Sequence, residues 1–346
     1  MDTMTPYPPL TRAPLRMRGI FGIAWQLYKR GFWQMFLLSL LFVSLPTVLL
    51  VLPQFALYGR MGIWTELQND FSQFGQLSSF SPDMGLQDIG ALFGMMGVLS
   101  LVSLVFAFLL QPMYRGALFL EMEERMEGRA GTLGQLFRFA LPIGLKRFYT
   151  TFLAEYVIQL GIGIVLSILM SIIAVVGVLS SVFAFMPYFD SGSVPASFFI
   201  TLGIVVLLTL VISIALSVFV MLIYPVAAHE KKFAFSAVGR AFKLTVKRFG
   251  RLLGATLLLS LVTSVICCIL CLPALLLWQN IEAMFALFSV LLALFAGLVS
   301  PYVAAFQTAL YVDTAARVDG PEGAVIDPDS VPDPDPDELR EGPRTL

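Results

Sequence analysis

One histidine, His229, and three cysteines stand in 346 residues, and Lys, Arg, Asp and Glu together make up only 13% of the chain. A soluble domain carries about a quarter charged residues. A single imidazole excludes a multi-histidine metal site and any mechanism that needs two imidazoles. Cys267, Cys268 and Cys271 fall inside one apolar run, which argues against an extracellular disulfide framework. The sequence has no Gly-rich phosphate loop and no Gly-x-Ser-x-Gly elbow, and His229-Glu230 lacks the second histidine of His-Glu-x-x-His. An acid, a base and a nucleophile have nowhere to sit. The chain is therefore read as non-enzymatic, with no catalytic residue, metal ligand, cofactor or nucleic-acid partner expected.

Apolar residues are abundant instead, at 58% of the chain with a mean hydropathy of +0.85. One water-soluble core cannot hide that surplus, because core growth is limited by surface-to-volume scaling. The expected fold is all-α and polytopic. A span needs about 20 apolar residues to cross roughly 30 Å of hydrocarbon. Six stretches qualify, at about Phe32–Pro53, Ile89–Pro112, Phe148–Met186, Ala196–Tyr224, Leu252–Trp278 and Ala283–Val312. The long third stretch can tilt, project beyond the membrane, or break near Gly161, Gly163 or Gly177. The first nineteen residues, rich in proline and arginine, lack a compact apolar region and a cleavage site, so no cleaved signal peptide is expected.

Charge placement gives an orientation. Of the 22 Lys and Arg residues, 21 precede the first span, lie between spans two and three or four and five, or follow the sixth; Arg60 is the exception. The opposite side holds Glu66, Asp70, Asp83, Asp88, Asp190 and Glu282. The positive-inside rule then places both termini and the two basic loops in the cytoplasm.

A pattern also recurs. Trp25-Gln-Leu-Tyr-Lys29-Arg30-Gly-Phe32, Leu145-Lys146-Arg147-Phe148 and Thr245-Val-Lys247-Arg248-Phe249 each enter an odd-numbered span. Upstream stand Gly22 with Trp25, Gly134 with Phe137, and Gly239 with Phe242; Pro112, Pro225 and Pro301 mark the even-numbered spans. Three units follow, at about 19–127, 131–233 and 234–317, each a cytoplasmic interfacial helix plus a membrane hairpin. They make up a 19–317 membrane domain between a proline-rich N-terminus (1–18) and an acidic, proline-rich tail (318–346), which is expected to be disordered. In this reading the aromatic residues sink toward acyl chains while Lys29, Arg30, Lys146, Arg147, Lys247 and Arg248 reach lipid phosphates. Any one copy is equally an ordinary topology anchor; its recurrence argues for a common unit.

Ionisable residues inside a membrane are candidates for function by default. Glu155 lies about two turns into the third span, where it is either a coordinating carboxylate or the partner of a basic residue such as Lys146 or Arg147. Gln111, Gln159 and Gln307 offer polar packing, and the cysteines read as small hydrophobes. His229-Glu230-Lys231-Lys232 opens a polybasic stretch that reads either as an anionic-lipid site or as the positive-inside requirement alone. The 54–88 loop, with Phe55, Phe71, Phe74 and Phe80, is too long for a simple turn and admits a partner contact.

Tyr224-Pro225-x4-Glu230, followed by Ala237-x2-Arg240-Ala241-x2-Leu244, resembles a segment of the glycerophosphoryl diester phosphodiesterase membrane domain family. Pro301 followed by Thr308-Ala-Leu310-Tyr311-Val-Asp313-x3-Arg317 is similar to that family's closing pattern. Ala241 stands where the family has serine, and Val312 where it has tyrosine. The resemblance covers about 20–317 and implies a stand-alone bacterial cytoplasmic-membrane protein. It does not imply phosphodiesterase activity, because the paired histidines and acidic metal ligands of the soluble barrel are missing. Its marked positions are Glu230, Arg240, Asp313 and Arg317, with Glu230–Arg240 and Asp313–Arg317 pairing expected at the cytoplasmic face. The function expected is a membrane scaffold or accessory protein that engages anionic lipid headgroups or a membrane-protein partner. The alternative is a transporter or permease subunit for a small or lipid-like solute.

Overall fold

The computed structural model describes residues 15–60, 86–128, 132–185, 196–277 and 279–320. The expectations for the N-terminal fourteen residues, for Phe71, Phe74 and Phe80, and for the acidic tail beyond 320 lie outside the described residues. Every regular element among them is helical. In chain order these are α1 (Met17–Arg30), α2 (Phe32–Ser39), α3 (Leu45–Arg60), α4 (Leu86–Val105), α5 (Gln111–Met126), α6 (Leu133–Gln135), α7 (Leu141–Phe185), α8 (Ala196–Val220), α9 (Ile223–His229), α10 (Ala234–Cys271) and α11 (Ile281–Asp319).

Among the described residues, six stretches are long and apolar enough to cross a membrane: Phe32–Phe55, Gly97–Met126, Leu141–Ile168, Val211–His229, Ala234–Leu277 and Ile281–Asp319. Large apolar side chains such as Leu101, Val105, Val165 and Leu261 point outward along them. In water that would be an aggregation surface; in hydrocarbon it costs nothing. The chain is a multi-pass membrane protein. Several expected span edges shift: the fourth stretch is Val211–His229 against the expected Ala196–Tyr224, and the fifth begins at Ala234, well before Leu252, because the basic segment and the span form one helix. The second span does not stop at Pro112, because α5 carries the helix on to Met126. The third is one continuous helix from Leu141 through Gly161, Gly163 and Gly177, so none of those glycines breaks it.

Proline sets the finer geometry. It lacks an N–H, and its ring crowds the carbonyl four residues earlier. Among the described residues, three π-helical turns occur, at Leu40–Ser44, Phe106–Leu110 and Leu136–Ala140. Each runs from six to two residues before a proline, Pro46, Pro112 and Pro142 respectively, with the crowded carbonyl at its centre. Widening the helix by one residue per turn moves that carbonyl off the ring. Pro225 acts more strongly: its i−4 residue, Met221, lies in the turn that separates α8 from α9. Pro273 follows the end of α10 and sits in a 3₁₀ turn, Leu272–Leu277. Pro53 and Pro301 remain inside regular helix.

The chain divides into two compact units, residues 1–149 with 258–346, and residues 150–257. In the first, α1 buries Ile20, Ile23, Ala24, Leu27 and Tyr28, a stripe at helical spacing. That stripe packs on α11. The contacts run antiparallel, Phe21 to Phe306 (ring centroids 5.0 Å apart), Trp25 to Tyr302 (6.2 Å) and the Tyr28 hydroxyl to the Leu298 carbonyl (3.1 Å). At 39 residues α11 is far longer than a bilayer core requires, and α1 covers its last part. Much of the apolar face expected to sink among acyl chains is therefore spent on α11. Trp25, at 48% exposed, remains on the flank.

Small residues let the helices of this unit approach closely. Gly297 faces Ser44, with no room for a Cβ, and the Ser44 hydroxyl donates to the Ala293 carbonyl at 2.7 Å. Gly116 and Gly144 bring α5 and α7 into backbone contact: a Cβ on Gly116 would lie 2.6 Å from Gly144 Cα. In the second unit, the first half of α10 buries Ala237, Val238, Ala241, Leu244 and Thr245, and Phe219 of α8 stacks on Phe249 and meets Phe242 at a tilt.

A Cβ on Gly144 would stand 2.8 Å from the Ala117 nitrogen and 3.0 Å from the Met113 carbonyl oxygen, and backbone cannot step aside. Gly144→Leu is therefore expected to destabilise the protein by about 1–3 kcal/mol or more through overpacking. Thermal unfolding in mild detergent would show it, with Gly161→Leu, which faces open space, as the neutral control.

Candidate functional site

Two buried charges, Arg125 and Asp313, lie toward helix ends and are tied to backbone. Arg125, near the end of α5, is 2% exposed. Its guanidinium donates to the Arg30 carbonyl, to Gln34 Oε1 and to Glu121 Oε1, one turn back on its own helix. Arg30 returns the contact, donating from Nη1 to the Arg125 carbonyl at 3.2 Å. The guanidinium lies against Gly31, where a Cβ would have no space. Gly31 also supplies the bend between α1 and α2, at φ −131° and ψ 18°. One buried cation thus holds the α1–α2 junction to α5.

A second clamp closes the same unit. Asp313 is fully buried, and its Oδ1 accepts from the Leu15 N–H (2.7 Å) and from Arg317 Nε (2.9 Å). Arg317 Nη2 donates to the Leu15 carbonyl at 2.6 Å. Both backbone groups of Leu15 are met by one ion pair, so the start of α1 is fastened to the end of α11. Deeper in, Tyr114 shares hydrogen bonds with Ser39 (2.7 Å) and Ser300 (2.6 Å), joining three spans. Burial pushes the Tyr28 phenol above its usual range, in keeping with a neutral donor to Leu298.

In the second unit, Arg240 Nε bridges both oxygens of Glu230 (2.8 and 3.0 Å), and Lys232 joins at 2.9 Å. The connection between α9 and α10 places Lys231 (φ 52°) and Ala234 (φ 54°) in the left-handed region without glycine, at a cost of about 1–2 kcal/mol each. The Glu230 pairs and the Ala234 N–H bond to Thr151 Oγ1 (3.0 Å) hold it there. Glu155 is 5% exposed and accepts from Gln159 at 2.7 Å.

The residues expected to meet lipid are placed differently. Lys29, Lys146, Arg147, Lys247 and Arg248 are exposed, and Arg30 is half-buried. Lys29 lies over the Trp25 ring, 5.0 Å from its centroid. Arg248 occupies a bend inside α10 (φ −134°, ψ 27°), directly before Phe249, as Gly31 does before Phe32. The middle copy shows no such bend, and Lys146-Arg147-Phe148 sits in unbroken helix. The three thiols are free, and no group of three or more His, Cys, Asp or Glu converges among the described residues.

No family model, curated protein or solved structure matches this chain. The geometry therefore carries the functional argument. Sequence reasoning had missed the Arg125 clamp, reading Arg125 as one more loop cation. The signals present were Glu121 and Arg125 at i,i+4 spacing, with apolar Leu118, Met122 and Met126 on the same face.

Asp313→Ala removes the partner of two donors, and hydrogen bonds to a charged group are worth about 1.5–3 kcal/mol. The expected result is lower stability together with faster trypsin cleavage after Arg16 and Arg18, read by intact-mass analysis of timed digests. Unchanged cleavage would show that the Leu15 clamp does not hold the start of α1.

Proposed function

We propose that the chain is a non-enzymatic scaffold or accessory protein that engages anionic lipid headgroups, or a membrane-protein partner, through basic residues at the entrances of its spans. The observation that carries this reading is a division of labour among the charges. Arg125, Glu121, Asp313, Arg317, Glu230 and Arg240 are consumed in ion pairs that lock helix ends. Lys29, Lys146 and Lys247 are presented outward beside apolar surface. A Lys or Arg near an anionic membrane surface is worth about 1 kcal/mol, so several of them make a substantial headgroup collar.

The same reading places both termini in the cytoplasm of a bacterium, by the positive-inside distribution, and takes 19–317 as three related units. The shared bend before Phe32 and Phe249 favours that kinship for the first and third units. The resemblance to the glycerophosphoryl diester phosphodiesterase membrane domain family belongs to this proposal too, resting on Tyr224-Pro225-x4-Glu230 and on the Asp313-x3-Arg317 ending.

Neutralising Lys29, Arg30, Lys146, Arg147, Lys247 and Arg248 to Gln is the test. Phosphatidylglycerol co-purified per protein, quantified by mass spectrometry against phosphatidylethanolamine, should fall well below wild type; an unchanged ratio overturns the lipid-collar mechanism.

A transport reading draws on Glu155, a carboxylate buried beside Gln159 in a long, largely apolar helix. It expects substrate-dependent flux in proteoliposomes that Glu155→Gln abolishes, and absence of flux over a broad panel of small and lipid-like solutes counts against it.

A further inference from the structure

Within the first unit, a groove of about 600 Å³ lies between the π-helical turn before Pro112 and the opening turns of α7. Its lining is Val105, Phe108, Leu109, Leu145, Lys146 and Tyr149. The polar groups are segregated: the Lys146 ammonium and the Tyr149 phenol come from α7, while α4 and the π turn contribute only hydrocarbon. We infer that this groove binds one anionic phospholipid, with its phosphate at Lys146 and Tyr149 and one acyl chain along Leu109, Phe108 and Val105. The inference rests on the lipid-engaging reading above and narrows it from a collar to one site.

Three observations converge on that occupant. Lys146 is exposed and has no carboxylate partner among the described residues, unlike the arginines of the clamps. An ammonium at the mouth of an apolar groove is complementary to a phosphate with hydrocarbon attached. Depth also agrees. The helix carrying Val105 and Leu109 runs toward the same basic end at which α7 begins, so Val105 lies about 6 Å farther from that end than Leu109. A lipid whose phosphate meets Lys146 in the headgroup layer has its chain directed toward Val105. Lastly, the groove is lined by Phe108 and Leu109 of a widened turn, which Pro112 imposes, and such π turns are frequent at functional sites.

The experiment counts bound lipids on the full chain by native mass spectrometry, after exchange in mild detergent against phosphatidylglycerol or phosphatidylcholine. Wild type should retain one phosphatidylglycerol that resists exchange. Lys146→Gln should lower that occupancy about five-fold, and Lys146→Arg should restore it. Leu109→Trp, which fills the groove, should displace the molecule even with Lys146 intact, and Val105→Phe serves if Leu109→Trp does not fold. Lys243→Gln, at an exposed lysine outside the six, should leave it in place. A retained phosphatidylglycerol in Lys146→Gln and in the groove-filling variant overturns the site. If the six-charge variant still loses phosphatidylglycerol in that event, the collar stands without the groove; if it loses none, both readings fall. No retained lipid in wild type also overturns the site.

Discussion

A helix that crosses hydrocarbon must satisfy its own backbone, and proline is the residue that prevents this locally. The twenty prolines of this chain include several inside or beside the spans, and the structure answers them in a regular way. Before Pro46, Pro112 and Pro142 the helix swells into a π turn centred on the carbonyl that the ring would strike. Before Pro225 it gives way to a turn. Each response has consequences for packing. The turn at Leu40–Ser44 presents Ser44 to span six, where Gly297 makes room for it and the Ala293 carbonyl accepts its hydroxyl. The turn at Phe106–Leu110 shapes the groove beside Lys146.

The second constraint is electrostatic. A charge taken out of water needs a partner and further hydrogen bonds, or its desolvation exceeds what pairing returns. Arg125 and Asp313 meet that requirement with backbone groups as well as counter-charges, which also makes each a rivet between elements far apart in sequence. Arg125 ties residues 30–34 to the end of α5, and Asp313 ties residue 15 to the end of α11. Ion pairs used in this way buttress a scaffold; they leave little freedom for a charge to move. Lys29, Lys146 and Lys247 are exposed and carry no such obligation among the described residues.

Much of this was legible beforehand, and the limits have physical causes. Continuous apolar runs showed six spans because every turn of a spanning helix must be apolar on its lipid face. The Glu230–Arg240 and Asp313–Arg317 pairs were readable, the latter from its i,i+4 spacing. Leu15 as the third member of the Asp313 clamp was not, since a backbone amide leaves no trace in residue identity. Nothing local marked Gly31, whose missing Cβ is what admits the Arg125 guanidinium. Span edges slipped at Pro112 because a widened turn lets helix continue past a proline that ordinarily ends it.

The sequence by itself determined the solvent, the number of crossings and the segregation of basic charge, because hydropathy and charge act residue by residue over windows of about 20 positions. Only the tertiary structure decided which charges are buried and which are presented. It also decided that α1 spends its apolar stripe on α11 and that a groove opens beside Lys146. Those outcomes depend on which distant helices meet, and in hydrocarbon that is set by close fit between small residues and by backbone hydrogen bonds that no local pattern encodes.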